Sequence, residues 1–391
     1  MTAMRVVVTG LVATYPVGGV AWDYLQYVEG FRRLGCDVFY VEDTGQWFYD
    51  PAAGTFILDA TQGARYLADA IASLAPSLAD AWSVRAPDGV VHGQDTAAVR
   101  RACAGADLFL NVSGASRLRD EYTGARVLAF IDTDPGYSQA RAVAVDRGTV
   151  DPQMREAVEI MRRHDVFFTL GEHIGAPDCA IPNLGIAWRP TRQPILLDRW
   201  EAAPAPEGAF TTVMSWRIDP PAPIVDGHVY GGKDVELERF LELPSHTAER
   251  LELAIAGAAP RERIQAAGWT VTDAHAISRT MADYRGFIAA SRGEVSIAKN
   301  AYVATRSGWF STRSAAYLAS GRPVVLQDTG FSRHLPIGAG LHAFTTLADV
   351  VEALAEIRCD YAAACRHARE VAVEWFAAER VCERLLAEAT G

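Results

Sequence analysis

Short apolar runs alternate with amphipathic segments along most of the chain. The run from Met4 to Thr9 is rich in β-branched residues and ends at Gly10, which predicts a buried parallel strand. Between Val20 and Leu34, apolar residues recur at steps of three and four, which predicts an amphipathic helix that ends at Gly35. A second strand is predicted over Asp37 to Val41. Together these segments make a βαβ unit at the start of the sequence.

The alternation continues in two series that are separated by a proline-rich stretch at residues 188–208. In the first series we predict strands over 106–112, 126–131 and 166–170, and a helix over 151–164. In the second series we predict strands over 210–216, 251–256, 295–297 and 323–326, and helices over 234–243, 281–291 and 312–320. From Leu347 onward the pattern is almost wholly helical.

These patterns predict an α/β protein of two Rossmann-like lobes that face each other across a cleft. We expect an N-terminal lobe at 1–200 and a C-terminal lobe at 201–365, followed by a helix at 366–391 that is apolar on one face. Open α/β sheets bind ligands beyond the carboxyl ends of their strands, so the cleft is the expected binding site.

Composition narrows the function classes. The chain has 391 residues, of which 50% are hydrophobic, and no run of about 18 to 20 apolar residues that could span a membrane. The net charge of −11 disfavours nucleic-acid binding, because the average surface would repel a phosphate backbone. The six cysteines show no metal-binding spacing and are expected to be reduced thiols, and with a strand beginning at Met4 we expect no signal peptide and a cytoplasmic location. Only two of the 37 basic residues are lysines, Lys233 and Lys299.

Two segments resemble the GT-B glycosyltransferases, particularly the family-4-like group. The first is Gly18-Gly19-Val20-Ala21 with Leu34-Gly35-Cys36-Asp37-Val38, which resembles the glycine loop and the helix exit of the N-terminal lobe in that family. The second runs from Ala316 through Ser320-Gly321-Arg322-Pro323-Val324-Val325 to Asp328-Thr329-Gly330, and it resembles the family's donor-lobe motif. The resemblance implies the GT-B fold, with an acceptor lobe followed by a donor lobe that binds a nucleotide sugar. It also implies that the helix at 366–391 packs back on the N-terminal lobe.

The sequence departs from the family at two acidic positions. The glutamate that typically holds the donor ribose is replaced by Ala316, and the partner glutamate seven residues upstream would fall at Trp309. Contacts to the ribose must therefore come from other residues.

The family generally neutralises the leaving diphosphate with protein cations and a helix N-terminus, and this sequence offers several groups for that role. Arg217 and Lys233 resemble the family's basic pair, and Lys233 follows two glycines just before a predicted helix. Lys299 follows a predicted strand and is expected at the same cleft edge. The start of the helix at 312–320 could bind an anion, since it carries three hydroxyl groups and an arginine. The full predicted donor set is Gly18, Gly19, Arg217, Lys233, Lys299, Ser311, Thr312, Arg313, Ser314, Asp328, Thr329 and Gly330.

An acceptor hydroxyl also needs a general base within hydrogen-bond reach. No histidine lies near Gly18-Gly19, so Asp23 in the first helix is one choice, with Asp132 and Asp134 at the end of a predicted strand as competitors. Asp132-Thr133-Asp134 is also a D-x-D pattern, which single-domain GT-A glycosyltransferases use to hold a divalent metal. The two-lobed organisation argues against that alternative.

The sequence therefore predicts a metal-independent glycosyltransferase without a resident cofactor. It would move a sugar from a nucleotide diphosphate sugar to a small-molecule or glycan acceptor. Two alternatives stay open, a nucleotide-sugar epimerase of the same fold and a non-catalytic two-lobed nucleotide- or sugar-binding protein. Self-association to a homo-oligomer also stays open.

Overall fold

The structure is a computed structural model that describes residues 3–149, 151–216 and 231–391, together with the backbone of two short strands at 224–225 and 228–229. The N-terminal lobe contains ten strands and five helices in its described part. In chain order these are β1 (Arg5–Thr9), α1 (Gly18–Arg33), β2 (Asp37–Glu42), β3 (Phe48–Asp50), β4 (Thr55–Ile57), α2 (Thr61–Leu74), β5 (Trp82–Arg85), β6 (Val91–Gly93), α3 (Thr96–Ala104), β7 (Leu108–Val112), β8 (Leu128–Asp132), α4 (Tyr137–Asp146), α5 (Pro152–Arg162), β9 (Val166–Thr169) and β10 (Trp188–Pro190).

The N-terminal sheet has the order β10-β9-β8-β7-β1-β2-β5-β6 within the described residues, and all its pairs are parallel except β5 with β6. β1 is central and buried on both faces, as its β-branched run predicts. α1 ends where predicted, because Gly35 adopts a φ of +81° that L-residues rarely adopt. The β3–β4 hairpin was not predicted, and residues 188–190 form a sheet strand where the sequence predicted the start of a linker.

The C-terminal lobe contains a second, six-stranded parallel sheet of order β15-β14-β11-β16-β17-β18 in the described part of the chain. Its elements are β11 (Phe210–Ser215), β12 (Ile224–Val225), β13 (His228–Val229), α6 (Lys233–Leu237), β14 (Leu251–Ala256), α7 (Arg261–Ala266), β15 (Thr270–Asp273), α8 (Ala274–Ile277), α9 (Met281–Ala290), β16 (Gly293–Ser296), α10 (Asn300–Thr305), α11 (Thr312–Ala319), β17 (Val324–Gln327), β18 (Leu341–Phe344), α12 (Leu347–Cys359), α13 (Tyr361–Trp375) and α14 (Ala378–Thr390). The helix predicted at 234–243 is shorter, because a 3₁₀ turn takes over at Glu238.

The C-terminal helices connect the two lobes. α13 packs on α11 and β18 of the second sheet, whereas α14 packs on α1 and β7 of the first. The change of lobe occurs near Ala377, which forms a parallel bridge with Ile195. The sequence predicted that residues 366–391 pack back on the N-terminal lobe. In the structure that packing begins at Ala378, and residues 366–375 belong to α13 on the C-terminal lobe.

The two lobes also meet where α1 approaches α9. The Trp22 indole Nε1 donates a hydrogen bond of 2.9 Å to the carbonyl of Met281, and Trp22 packs on Trp200 with ring centroids 4.7 Å apart. Both sheets therefore direct strand ends toward one shared cleft, and the predicted two-lobed α/β architecture is confirmed. Across the described residues, no helix combines the length and apolar character that crossing a membrane requires.

Candidate active site

A cleft of about 590 Å³ lies between the lobes, and it brings together much of the predicted site. The N-terminal lobe contributes the loop before α1, the first turns of α1 and the β3–β4 hairpin. The C-terminal lobe contributes the ends of β11 and β14, the α8 segment, and the starts of α6 and α11. The predicted residues that line the cleft are Gly19, Asp23, Lys233, Lys299, Ser311, Thr312 and Arg313. Arg217 lies outside the described residues.

Lys233 is a buried cation without a partner among the described residues. Its side chain lines the cleft at the start of α6, and the residue is only 8% exposed. Burial holds the pKa of its ammonium well below the usual value, and the positive charges of Arg313 and Lys299 add to this effect while Glu294 opposes it. Burying an ammonium without a close counter-ion costs free energy, so the site is suited to an anion that no described residue supplies.

Lys299 lines the same cleft but is already paired. Its Nζ lies 2.7 Å from Oδ1 of Asp134, a residue that follows β8 in the N-terminal lobe. The ammonium also lies 5.0 Å from the ring centroid of Tyr137 and 5.2 Å from that of Tyr302. The ion pair therefore connects the two lobes beside the cleft.

The start of α11 divides its polar residues between the cleft and the interior. Ser311 and Thr312 line the cleft, and Ser311 makes no side-chain capping bond to the first turn. Arg313 touches the cleft, but Nε donates to Glu294 at 2.6 Å and Nη2 donates to Ser296 Oγ at 2.6 Å, with a third bond to the carbonyl of Val213. Ser314 is fully buried and does not line the cleft. Two of the four residues predicted at this helix start are thus directed into the lobe.

The predicted segment Asp328-Thr329-Gly330 forms a turn that does not line the cleft. The Asp328 carboxylate accepts hydrogen bonds from the Gly330 amide at 2.8 Å and from Ser332 Oγ at 2.8 Å. Thr329 Oγ1 donates to the carbonyl of Trp309 at 2.6 Å. This turn supports the loop that carries Trp309 into the cleft, and donor contact by its residues stays a prediction.

Gly18 and Gly19 lie at the contact between the two lobes. The Gly18 amide donates to the carbonyl of Ser278 at 2.6 Å, and the Gly19 amide donates to Ser278 Oγ at 3.1 Å. A Cβ at Gly18 would lie 2.1 Å from the Thr280 carbonyl oxygen. Only glycine permits this approach, and the amides of these two glycines, which the sequence places in the donor site, are bonded to Ser278 in this arrangement.

We expect Gly18→Ala to lower the melting temperature, since the clash with Thr280 must push the lobes apart at a cost of about 1 to 3 kcal/mol. Gly286→Ala in α9 is the matched control, because a Cβ there meets nothing within 4 Å and alanine is the better helix former. Thermal unfolding of both variants tests this. An unchanged melting temperature for Gly18→Ala would show that the lobes do not depend on the contact.

Asp23 is the carboxylate that faces the cleft. It lies in the second turn of α1 and is half-buried among the lining residues. Burial raises the pKa of its carboxyl to about 7, and the positive charge of Arg313 limits the rise. A carboxylate with a pKa near neutrality is well matched to accept a proton during a reaction at neutral pH.

The side chains of Asp132 and Asp134 have different partners. Asp132 is 1% exposed and accepts hydrogen bonds from Gln139 Nε2 at 2.9 Å, Ser138 Oγ at 3.0 Å and Thr169 Oγ1 at 3.2 Å. Asp134 is bonded to Lys299, and neither aspartate lines the cleft. Burial raises the pKa of the Asp132 carboxyl to about 6, and a role for Asp132 or Asp134 as the base stays a prediction. In this structure the D-x-D side chains are engaged by other residues rather than directed toward a shared metal.

Solved structures show which known fold this arrangement matches. AviGT4, a glycosyltransferase of avilamycin A biosynthesis, is 13% identical, covers 99% of this chain and 97% of its own, and superposes with a TM-score of 0.52. HepE of Anabaena, solved with UDP-glucose, is 12% identical with 98% of each chain covered and a TM-score of 0.55. Sucrose-phosphate synthase of Thermosynechococcus elongatus is 13% identical over 97% of each chain, with a TM-score of 0.51. The chain has the GT-B fold. In sequence, neither a family model nor a curated protein matches it.

In this GT-B protein, an indole occupies the place of the missing upstream acidic residue. Trp309 lines the cleft, stacks on Tyr302 with centroids 4.4 Å apart, and donates from Nε1 to the carbonyl of Thr133 in the other lobe at 3.2 Å. Ala316 is buried in the core of α11. Among the described residues that line the cleft, Asp23 is the only carboxylate.

Sequence reasoning missed most of the aromatic lining of the GT-B cleft. These residues are Tyr15, Tyr49, Phe56, His275 and Tyr284. A signal was present, since Trp47-Phe48-Tyr49 is an aromatic run between Gly45 and Pro51, where a surface turn would be expected to be polar.

Proposed function

We propose that this protein transfers a glycosyl group from a nucleotide diphosphate sugar to a hydroxyl of an acceptor held by the N-terminal lobe. The observation that carries the proposal is the buried ammonium of Lys233 in the inter-lobe cleft, which has no counter-ion among the described residues and is therefore suited to an anionic ligand. The GT-B fold supports the same reading, since HepE was solved with UDP and with UDP-glucose.

The cleft residues suggest a division of roles. Lys233 would neutralise the diphosphate as it leaves, aided by the amides at the start of α11. Lys299 would join it by exchanging Asp134 for a phosphate oxygen. Asp23 would accept the proton of the attacking hydroxyl.

Thermal unfolding with UDP, GDP and TDP tests the donor site. A ligand that binds only the folded state stabilises it according to its concentration and dissociation constant, so at least one nucleoside diphosphate should raise the melting temperature. The corresponding nucleoside should raise it less. If none of the three stabilises the protein, the proposed donor site is wrong.

The products formed from a nucleotide sugar distinguish glycosyl transfer from the two alternatives, an epimerase and a binding protein. With a nucleotide sugar alone, an epimerase changes the sugar without an acceptor, a transferase releases nucleoside diphosphate only slowly until an acceptor is added, and a binding protein leaves the ligand intact. Chromatography of the nucleotide sugar over time distinguishes the three.

A further inference from the structure

The two walls of the cleft differ in chemistry. The lining cations, Lys233, Lys299 and Arg313, all belong to the C-terminal lobe. The described part of the N-terminal wall instead presents aromatic and aliphatic side chains, and Asp23 is its only charged residue. Phosphate recognition is thus confined to one wall, and the other wall is available for a ligand of different character.

Three aromatic rings form a platform on the N-terminal wall, which we call the aromatic platform: Tyr15, Tyr49 and Phe56. The centroid of the Tyr15 ring lies 6.3 Å from that of Tyr49 and 5.6 Å from that of Phe56, and the Tyr49 and Phe56 centroids are 5.5 Å apart. His275 of the C-terminal lobe stacks on Tyr49 at 5.7 Å across the cleft. Phe56 is 43% exposed although it is fully apolar, so its face is free for a ligand.

The platform is held in place by the fold. Tyr49 and Phe56 are direct cross-strand partners in the β3–β4 hairpin, and Phe48 on the opposite face is buried in the core. The Tyr49 amide donates to the carbonyl of Thr14, and the loop that carries Thr14 is fixed by the buried carboxylate of Glu42, which accepts from the amide of Ala13 at 2.9 Å and the hydroxyl of Thr14 at 2.6 Å. The rings are therefore preorganised for stacking.

Apolar surface continues beyond the platform. Trp47 stands two residues before Tyr49 and Leu58 two residues after Phe56, which is the spacing of one face of a hairpin, and they are 56% and 40% exposed. Exposed apolar residues that adjoin a binding cleft are typical of ligand or partner sites.

We propose, building on the proposed function, that the acceptor is a phenol or a similar hydroxyl on a planar apolar ring, stacked on the aromatic platform with its hydroxyl directed to Asp23. A sugar acceptor would need several amide, carboxylate or guanidinium groups to bond its hydroxyls, and the described side chains of this wall offer only two phenolic groups and Asp23. An anionic acceptor would find no cation among the described residues of this wall. A planar ring gains both apolar burial and offset or edge-to-face ring contacts.

The reaction balances with these groups. The phenol oxygen forms a bond to the anomeric carbon, the bond from that carbon to the diphosphate oxygen breaks, and its electron pair leaves with the nucleoside diphosphate. The phenol proton passes to the Asp23 carboxylate and then to water. A phenol, with a pKa of about 10, is a far stronger acid than an aliphatic alcohol, so a carboxylate base suffices for it.

Binding of 4-methylumbelliferone, a fluorescent planar phenol, tests the inference without requiring turnover. We expect it to bind the protein in the presence of the nucleoside diphosphate that gives the largest thermal shift, and we expect Phe56→Ala to weaken this binding by about tenfold or more. Phe56→Tyr should retain binding. Val90→Ala is the matched control, because Val90 is an exposed apolar residue of the same lobe that does not line the cleft.

Transfer is measured with the same probe and with maltose as a sugar acceptor. With the matching nucleotide sugar, glucoside-type product should form on 4-methylumbelliferone and not on maltose, as read by mass spectrometry. Phe56→Ala should reduce that product, whereas Val90→Ala, which changes a residue outside the cleft lining, should leave it unchanged.

Each other outcome overturns the inference in a recognisable way. Equal binding of the phenol by wild type and Phe56→Ala, or efficient transfer to maltose, would show that the platform does not select the acceptor. If Phe56→Ala weakens the nucleoside diphosphate as strongly as the phenol, the platform holds the nucleobase instead. If no nucleoside diphosphate binds although Phe56→Ala still loses the phenol, the proposed function fails and the platform is not an acceptor site.

Discussion

Replacing Lys233 by methionine should weaken nucleoside diphosphate binding by about tenfold to a hundredfold, the usual worth of a charge-assisted contact. The same change should raise the melting temperature of the ligand-free protein, because it removes a buried ammonium that has no partner among the described residues and replaces it with an apolar chain of similar length. A loss of ligand affinity together with a gain in stability would show that Lys233 serves the ligand and not the fold.

Calorimetric titration with the nucleoside diphosphate and with its nucleoside measures the affinity effect. The loss should be confined to the diphosphate, because the nucleoside carries no charge for Lys233 to meet. Arg263→Met is the matched control, since Arg263 is an exposed cation of α7 in the same lobe and does not line the cleft. An equal loss for nucleoside and diphosphate would contradict a phosphate role for Lys233.

Replacing Asp23 by asparagine should lower kcat by about a hundredfold to ten-thousandfold while nucleoside diphosphate binding is retained. Asparagine keeps the shape of the side chain but cannot accept the acceptor's proton. In the wild type, the base must be deprotonated to act, and burial raises the pKa of the Asp23 carboxyl to about 7. The ratio kcat/KM should therefore rise as the pH increases through about 7. This rising limb of the pH profile should be missing in Asp23→Asn.

The pH profile separates Asp23 from the other aspartates. Asp69→Asn on α2 is the matched control, an exposed carboxylate of the same lobe that should leave the profile unchanged. Asp134→Asn should change the donor's KM through its partner Lys299 and keep the limb. If the rise of kcat/KM with pH persists in Asp23→Asn and disappears in Asp134→Asn, the base is Asp134 and not Asp23.

The stability of the free protein provides an independent check on Asp23. Its folded pKa is above the unfolded value of 3.8, so the folded state is penalised at pH values above about 7 and the penalty disappears below the unfolded value. Asp23→Asn should therefore raise the melting temperature at pH 8 and change it little at pH 4.

Local patterns in the sequence determined the two-lobed framework and the approximate position of the cleft lysines. Hydrophobic periodicity and β-branched runs depend only on neighbours along the chain, so β1, α1 and α11 were predicted close to their observed bounds. The position of Lys233 after two glycines and before a helix was also a local feature. Both lysines line the cleft.

The tertiary structure decided which polar groups face that cleft and which face the interior. Asp132 and Asp134 are two residues apart, yet one is sealed in a hydrogen-bonded pocket and the other reaches across to Lys299. Arg313 of α11 lies at the cleft, yet its guanidinium bonds inward to Glu294 of β16. Such directions depend on packing between elements that are distant in sequence, and the periodicity of one segment carries no information about them.

The aromatic platform and the contact between the lobes also depend on packing between elements that are distant in sequence. Gly19 and Ser278 are joined by a hydrogen bond although they belong to different lobes, and Tyr49 meets His275 in the same way. The sequence alone thus determined the fold and the lysines of the cleft. Only the folded arrangement of the lobes decided which carboxylate lines the cleft, which aromatic side chains form its wall, and which contacts join the two lobes. The physical reason is that backbone structure follows from local pattern, whereas side-chain direction at a cleft follows from long-range packing.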